Sequence, residues 1–385
     1  MDRVLDFLSS ADSAGELHPR LAELRSQETL PRVLLADGQE AWLVTRNEDV
    51  RTVLSDRSFT RDVMGERARQ AGQAPGGARS VNMDGRPHHE LRALVSKAFT
   101  VRRIEAMTPR IQAWTDELID AMEETGPPAD LVARLAVPLP ALAICELLGF
   151  PVEDRHVLSG WCERITRLGA GGPDPRAWRE LSAYIARRVP VERAALRGGL
   201  APEASILTRL VHAHDSEDAL SMEELLSLTV VVLAGGLETT QTAIGAGIVR
   251  LFRNPDQLDK VRADPDLVVP AVEEILRCQP VIDVNRVQVA TRAVRLGGQE
   301  IRAGIWCRCP STRPTATRRS SPTANTATSR ESRTRISRSA TARTTAWGRP
   351  WHGSNSRRPS RRCCGVCRTC GRPYRWRASA GGAGT

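Results

Sequence analysis

The reading turns on 221-SMEELLSLTVVVLAGGLETTQTAIGAGIVRLFR-253. Its periodicity predicts one helix of about thirty residues. Its middle is apolar on nearly every face, so the helix is expected to run through a core. The longest unbroken apolar run, 228-LTVVVLAGGL-237, is too short to span a bilayer. Gly235-Gly236-Leu237-Glu238-Thr239-Thr240 stands out within this span. Adjacent glycines weaken a helix by about 1 kcal/mol each relative to Ala, and they let another group approach the backbone closely. A carboxylate and two hydroxyls in an apolar helix are expected to be buried, and buried polar groups need partners or a task. One account is structural: a Thr hydroxyl bonds back to a carbonyl one turn earlier and the glycines serve helix packing. The other account is functional. These residues alone leave both open.

Outward from this helix the pattern stays mainly helical. From Pro87 to about Pro255 the segments PHHELRALVSKAF, RRIEAMTPRIQAWTDELIDAMEE and ADLVARLAVPLPALAICELLG all carry helical spacing. Two further helices are expected over 256–264 and 268–279. Residues 31–50 read as a hairpin around Asp37-Gly38, followed by a helix carrying VRTVL. Residues 61–82 read as a surface loop. Residues 286-RVQVATRAVRLGG-298 alternate like a strand pair that ends in a Gly-Gly turn. The sum is a mainly α domain with small β-sheets. The N-terminal MDRVLDFLSSADSAGE is acidic and amphipathic, with neither the charge pattern of a secretory signal nor an anchor.

Composition divides the chain near Gly304. Residues 306–385 hold 18 Arg, no Lys and one acid, Glu331, for a charge of +17; the remainder carries −7. The tail has two aliphatics larger than Ala, Ile336 and Val366. Such a segment buries too little to offset its chain entropy, so disorder is expected. Three cysteines, Cys145, Cys162 and Cys278, are scattered through the body and read as reduced core thiols of a cytoplasmic protein. The other six lie in the tail.

Two more pairs carry chemistry. Glu274 and Arg277 place an acid and a base at i, i+3 on one helix face. His88 and Arg92 lie at i, i+4 on a helix begun by Pro87 and could clamp one anion. Each is by itself an ordinary surface pair. In this order and at these separations, however, the chain from about Leu17 to Gly304 resembles the cytochrome P-450 superfamily of haem-thiolate monooxygenases, in particular its bacterial soluble members.

The resemblance implies that fold, incomplete at the C-terminus, over residues 1–305, with 306–385 as a separate tail. It implies a haem whose propionates are held by His88 and Arg92, and by a later strand Arg. Counting back from Gly297-Gly298, that last role falls on Gln288; Arg286, two residues earlier on the same strand face, is carried over instead. The Gly-x-Glu/Asp-Thr-Thr motif over the haem matches Gly236, Glu238, Thr239 and Thr240. It implies that Thr239, with Glu238, delivers protons during oxygen activation. Glu274 and Arg277 match a structural pair. Implied partners are a ferredoxin and its reductase, O2 and a small hydrophobic organic substrate, with no membrane.

The family also needs a Cys thiolate on iron, in a loop reading Phe-Gly-x-Gly-x-His-x-Cys-x-Gly. No such loop is written. Read one base out of frame, however, 337-SRSATARTTAWG-348 permits A-F-G-H-G-P-H-H-C-L-G, with the last Gly forced by the single Trp codon. The Cys codon then straddles Thr345 and Ala346. In the same frame 348-GRPWHGSNSRRPS-360 permits A-A-L-A-R-I-E-L-E-A-A-L, an amphipathic helix. Likewise 306-WCRCPSTRPTAT-317 permits V-S-V-S-L-N-A-A-N-R-D, a strand and turn. The text is therefore read as leaving its frame between Gly304 and Trp306. The chain as written is expected to lack the axial Cys, and with it haem binding. This reading also accounts for the metal-like spacing of Cys364, Cys367 and Cys370 and for the Arg density, so a zinc knuckle and a nucleic-acid tail are set aside. The rival is a non-enzymatic, haem-less scaffold whose basic tail binds polyanions. It predicts salt-sensitive DNA binding by residues 306–385 alone.

Overall fold

The computed structural model describes residues 5–6, 20–35, 38–63, 85–96, 99–167, 174–278 and 286–309. A short strand β1 (Leu5–Asp6) and a helix α1 (Arg20–Ser26) precede the hairpin of β2 (Arg32–Leu34) and β3 (Glu40–Leu43). The two strands are antiparallel, with Val33 opposite Ala41, and Gly38 at φ +80° supplies the left-handed turn residue. The hairpin is shorter than the 31–50 expected. It gives way to α2 (Asn47–Ser55), whose first turn carries Glu48 and Asp49 where the helix dipole favours acids. Strand β4 (Phe59–Thr60) follows. Most of the loop expected over 61–82 lies outside the described residues.

The helical body comprises α3 (Gly85–Ser96), α4 (Val101–Thr125), a π-turn over Val132–Ala136, α5 (Pro138–Leu148), α6 (Arg155–Thr166), α7 (Pro175–Arg197) and α8 (Ile206–Ser216). Helix α3 starts at Gly85 rather than Pro87. A proline within the first turn costs no hydrogen bond, because the N–H there has no helical partner. The long helix α9 (Met222–Arg253) begins at a capping box. The Ser221 hydroxyl accepts from Glu224 N at 3.2 Å, and the Glu224 carboxylate accepts from Ser221 N at 2.8 Å. By length and composition α9 would cross a membrane, but its N-terminal half is the core helix: Leu225, Leu228, Val230, Val232, Leu233 and Leu237 are buried among α5, α6, α7 and α8. Then come α10 (Pro255–Ala263) and α11 (Val268–Cys278).

The strands that close the described chain are β5 (Arg286–Ala290), β6 (Val294–Leu296), β7 (Gln299–Ile301) and β8 (Trp306–Cys309). Two expectations are corrected here. First, β5 and β6 are not partners. Strand β6 pairs with β7 across Gly297 and Gly298, both at positive φ, while β5 pairs with β8 and β4. The reason lies at the end of β5. Thr291 donates from N and Oγ1 to Ser58 O (2.7 and 3.0 Å), and Arg292 Nε donates to Ser58 Oγ at 2.8 Å, which ties this turn to the β4 side.

Second, the folded body does not stop at residue 305. Trp306–Cys309 is an inner strand of the six-stranded sheet β1-β2-β3-β8-β5-β4, parallel to β3 and antiparallel to β5. Trp306 joins a cluster with Leu24, Val33, Leu43 and Val287; Cys307 and Cys309 join another with Val44, Val50, Phe59 and Ala290. Ladder bonds need only backbone, and W-C-R-C puts apolar groups on both faces. A composition average over eighty residues hides four that fold. Residues 310–385, including the loop expected at Thr345/Ala346, lie outside the described residues.

Candidate functional site

The turn 235–240 of α9 has a packed side and an open side. On the packed side, a Cβ on Gly236 would stand 2.7 Å from Ile144 Cδ1, so only glycine lets α5 come this close. Leu237 is buried beside it. On the open side, Gly235, Glu238 and Thr240 are exposed, and nothing lies within 4 Å of a Cβ built on Gly235. The expectation that the carboxylate and hydroxyls are buried is therefore corrected. At 100° per residue Glu238 falls about 160° from Gly236 and so turns away from α5, while Thr240 lies one turn beyond Gly236 and is exposed there. Thr239 is half-buried, and its Oγ1 donates to Gly235 O one turn earlier. The structural account of the motif thus holds. One glycine serves packing, Thr239 bonds back, and the Glu238 carboxylate and the Thr240 hydroxyl remain exposed. The glycine on the open side is Gly235, where Gly236 had been matched. The Thr239–Gly235 bond was foreseeable from the i, i−4 spacing; the side that α5 would cover was not.

His88 and Arg92 keep their one-turn spacing on α3, both half-buried, with the His88 ring edge-on to His89 at 6.1 Å. Leu91, Leu94 and Val95 of the same helix enter the core with Ile206, Leu207 and Leu210 of α8. Glu274 and Arg277 form a two-pronged fork, Nε to Oε2 and Nη2 to Oε1, each at 2.6 Å, with Glu274 buried. Arg286 opens β5 opposite Cys309, on the strand face shared by the buried Gln288. The Arg286 side chain is outside the described residues, as is that of Cys278.

A haem-thiolate centre requires an ionised Cys at the metal. The described thiols of Cys145, Cys162, Cys307 and Cys309 are all buried. Burial pushes Cys145 up to about 11, and Cys162 and Cys307 up to about 12; for Cys162 the charges of Cys145 and Glu238 add to the effect. Cys145, Cys162 and Cys307 are neutral at pH 7, and all four thiols are locked in core clusters. Among the described residues no group of His, Cys, Asp or Glu is arranged to hold a metal. The open face of α9 fits the oxygen side of a haem; the described residues do not supply its iron ligand.

Comparison with known proteins places this geometry. The family model "Cytochrome P450" matches residues 175–311. Nocardicin C N-oxygenase of Nocardia uniformis subsp. tsuyamanensis is 36% identical over 311 residues, covering 76% of this chain and 73% of that protein. Mycinamicin IV hydroxylase/epoxidase of Micromonospora griseorubida is 37% identical over 289 residues, covering 74% and 71%. Among solved structures, the LnmA cytochrome P450 hydroxylase from the leinamycin biosynthetic pathway of Streptomyces atroolivaceus S-140 superposes with a TM-score of 0.73 at 34% identity, over 85% of this chain and 82% of that one. With the shared fold, the open turn over 235–240 and these relatives together, the chain belongs to the cytochrome P450 family.

Proposed function

We propose that this fold is the scaffold of a cytoplasmic haem-thiolate monooxygenase of secondary metabolism, and that the chain as written leaves its iron site incomplete. The reaction would insert one oxygen atom of O2 into a small hydrophobic organic substrate, with electrons from a ferredoxin and its reductase. The relatives support this class: they are named as an N-oxygenase, a hydroxylase/epoxidase and a hydroxylase. The observation that carries the reading is the α9 turn, with Thr239 Oγ1 on Gly235 O and the Glu238 carboxylate on the same open side.

Haem supplies the oxidising chemistry when bound. In this chain His88, Arg92 and Arg286 would hold its propionates. Thr239 would pass a proton at Oγ1, with the Glu238 carboxylate beside it on the path. The Glu274–Arg277 fork would keep α11 rigid beneath the site. The missing part is the thiolate. In the written frame Thr345 and Ala346 stand where the shifted frame reads Cys, and the two halves of the chain are one enzyme domain interrupted by a change of frame. Resequencing the gene from the Gly304 codon to the Trp306 codon tests the frame. The protein test is a carbon monoxide difference spectrum of the purified 385-residue chain grown with haem supply. No thiolate-type band is expected; such a band from the chain as written would sink the proposed defect.

A further inference from the structure

We propose that the chain pairs with a second copy of itself through two exposed helix faces of opposite charge, a basic one on α7 and an acidic one on α4. The pairing depends neither on haem nor on the reading frame. Helix α7 carries six arginines. Three of them are paired: Arg176 Nε donates to Glu180 at 2.9 Å, Arg188 Nη2 lies 3.5 Å from Glu192, and Arg193 makes a fork with Asp215 at 2.7 Å. Arg179 and Arg187 have no carboxylate partner among the described residues, and Arg187 lies over the Tyr184 ring at 6.0 Å. Arg179, Ala183 and Arg187 follow one another at i, i+4 and i+8, and all three are exposed, as is Ala186 beside them.

Helix α4 presents the counterpart. Glu117, Ala121 and Glu124 are exposed at i, i+4 and i+7, and neither carboxylate has a basic partner among the described residues. At a rise of about 1.5 Å per residue, the two arginines stand about 12 Å apart along α7 and the two glutamates about 10.5 Å apart along α4. The reach of an Arg side chain covers the difference. The alanines between the charges let the two helices approach closely. Within one chain the faces do not cover each other: α4 packs on α5 and the π-turn, and α7 on α6, α8 and α9. A separate acidic protein would account for the α7 face alone, whereas a second copy accounts for both. Like faces repel, so α4 of one copy meets α7 of the other, and a twofold axis makes that contact twice. Exposed ion pairs are individually weak, so both contacts are needed and the pairing is sensitive to salt.

The experiment is sedimentation equilibrium of the full 385-residue chain in about 0.1 M and about 1 M salt, between which the screening length falls from about 10 to about 3 Å. A mass twice that of one chain is expected at low salt, and the mass of one chain at high salt. Glu117→Arg/Glu124→Arg and, separately, Arg179→Glu/Arg187→Glu set like charges opposite each other, so each variant alone is expected to be monomeric. An equimolar mixture of the two restores opposite charges across the contact and is expected to return the doubled mass, which only folded variants can do. A chain that is monomeric at low salt, variants that stay associated when alone, or a mixture that stays monomeric overturns the proposal. Association through the Arg-rich tail would show as the second of these outcomes, because both variants keep residues 306–385.

Discussion

A methyl group added at position 236 would stand 2.7 Å from Ile144 Cδ1, whereas one added at 235 would meet nothing within 4 Å. Gly236→Val is therefore expected to cost about 1–3 kcal/mol by overpacking. Gly235→Ala should add up to about 1 kcal/mol of helix stability. Thermal melts of the two variants check the contrast, and equal melting temperatures would refute it. Asp49 makes a different kind of prediction. Its Oδ1 accepts from Gly297 N at 3.1 Å, while Oδ2 is buried without a partner. Desolvation raises its pKa, against the smaller opposing pulls of the Gly297 bond and Arg46. A carboxyl raised on folding stabilises most while protonated, below its unfolded value of 3.8, and loses that contribution as pH rises through the folded value. Asp49→Asn keeps the acceptor and removes the titration. Its melting temperature should gain on the parent as pH rises from about 3 to 7; a constant difference across that range would count against a titrating Asp49. Neither effect is visible in sequence. The Gly-Gly pair is legible, but which glycine packs depends on where α5 lies.

At the scale of the element, β8 is the informative case. Its backbone pairs on both sides, with Arg308 opposite Leu43 in β3 and Val287 in β5. Only 2% of Arg308 is exposed, and it lies on the Trp306 face of the strand. Arg308→Val removes much of a fully buried side chain together with its contacts, so it is expected to lower stability by about 1–3 kcal/mol, read as a lower denaturant midpoint at unchanged slope. An unchanged or higher midpoint would mean that burying the guanidinium costs at least as much as its contacts contribute. Helix α9, by contrast, was legible from pattern alone, because its period, its length and its Ser221 start all agree. The β5–β6 pairing was misjudged for the opposite reason. Alternation identifies a strand but not its neighbour, and the neighbour was set by Ser58, more than two hundred residues away.

For the whole molecule, the described fold closes on itself by residue 309. The helical core is assembled from α3 to α9, and the sheet buries two clusters on its two faces. Residues 310–385 add two large aliphatics and a net charge of +16, from 17 Arg and one Glu. A chain ending at Cys309 is therefore expected to melt within a few degrees of the full one, while its net charge changes from +10 to −6. A collapse of the melting transition on removing 310–385 would show that the tail holds the fold. What the sequence determined alone was the family, the central helix, the acid–alcohol motif and the absence of a written thiolate loop, because each is a local pattern of residue type and spacing. Tertiary structure decided the rest: which glycine faces α5, that the Glu238 side is open, that β5 joins β8, and that four residues beyond the change in composition still belong to the core. Those outcomes depend on contacts between segments far apart in the chain, and no local pattern records which distant surface will arrive.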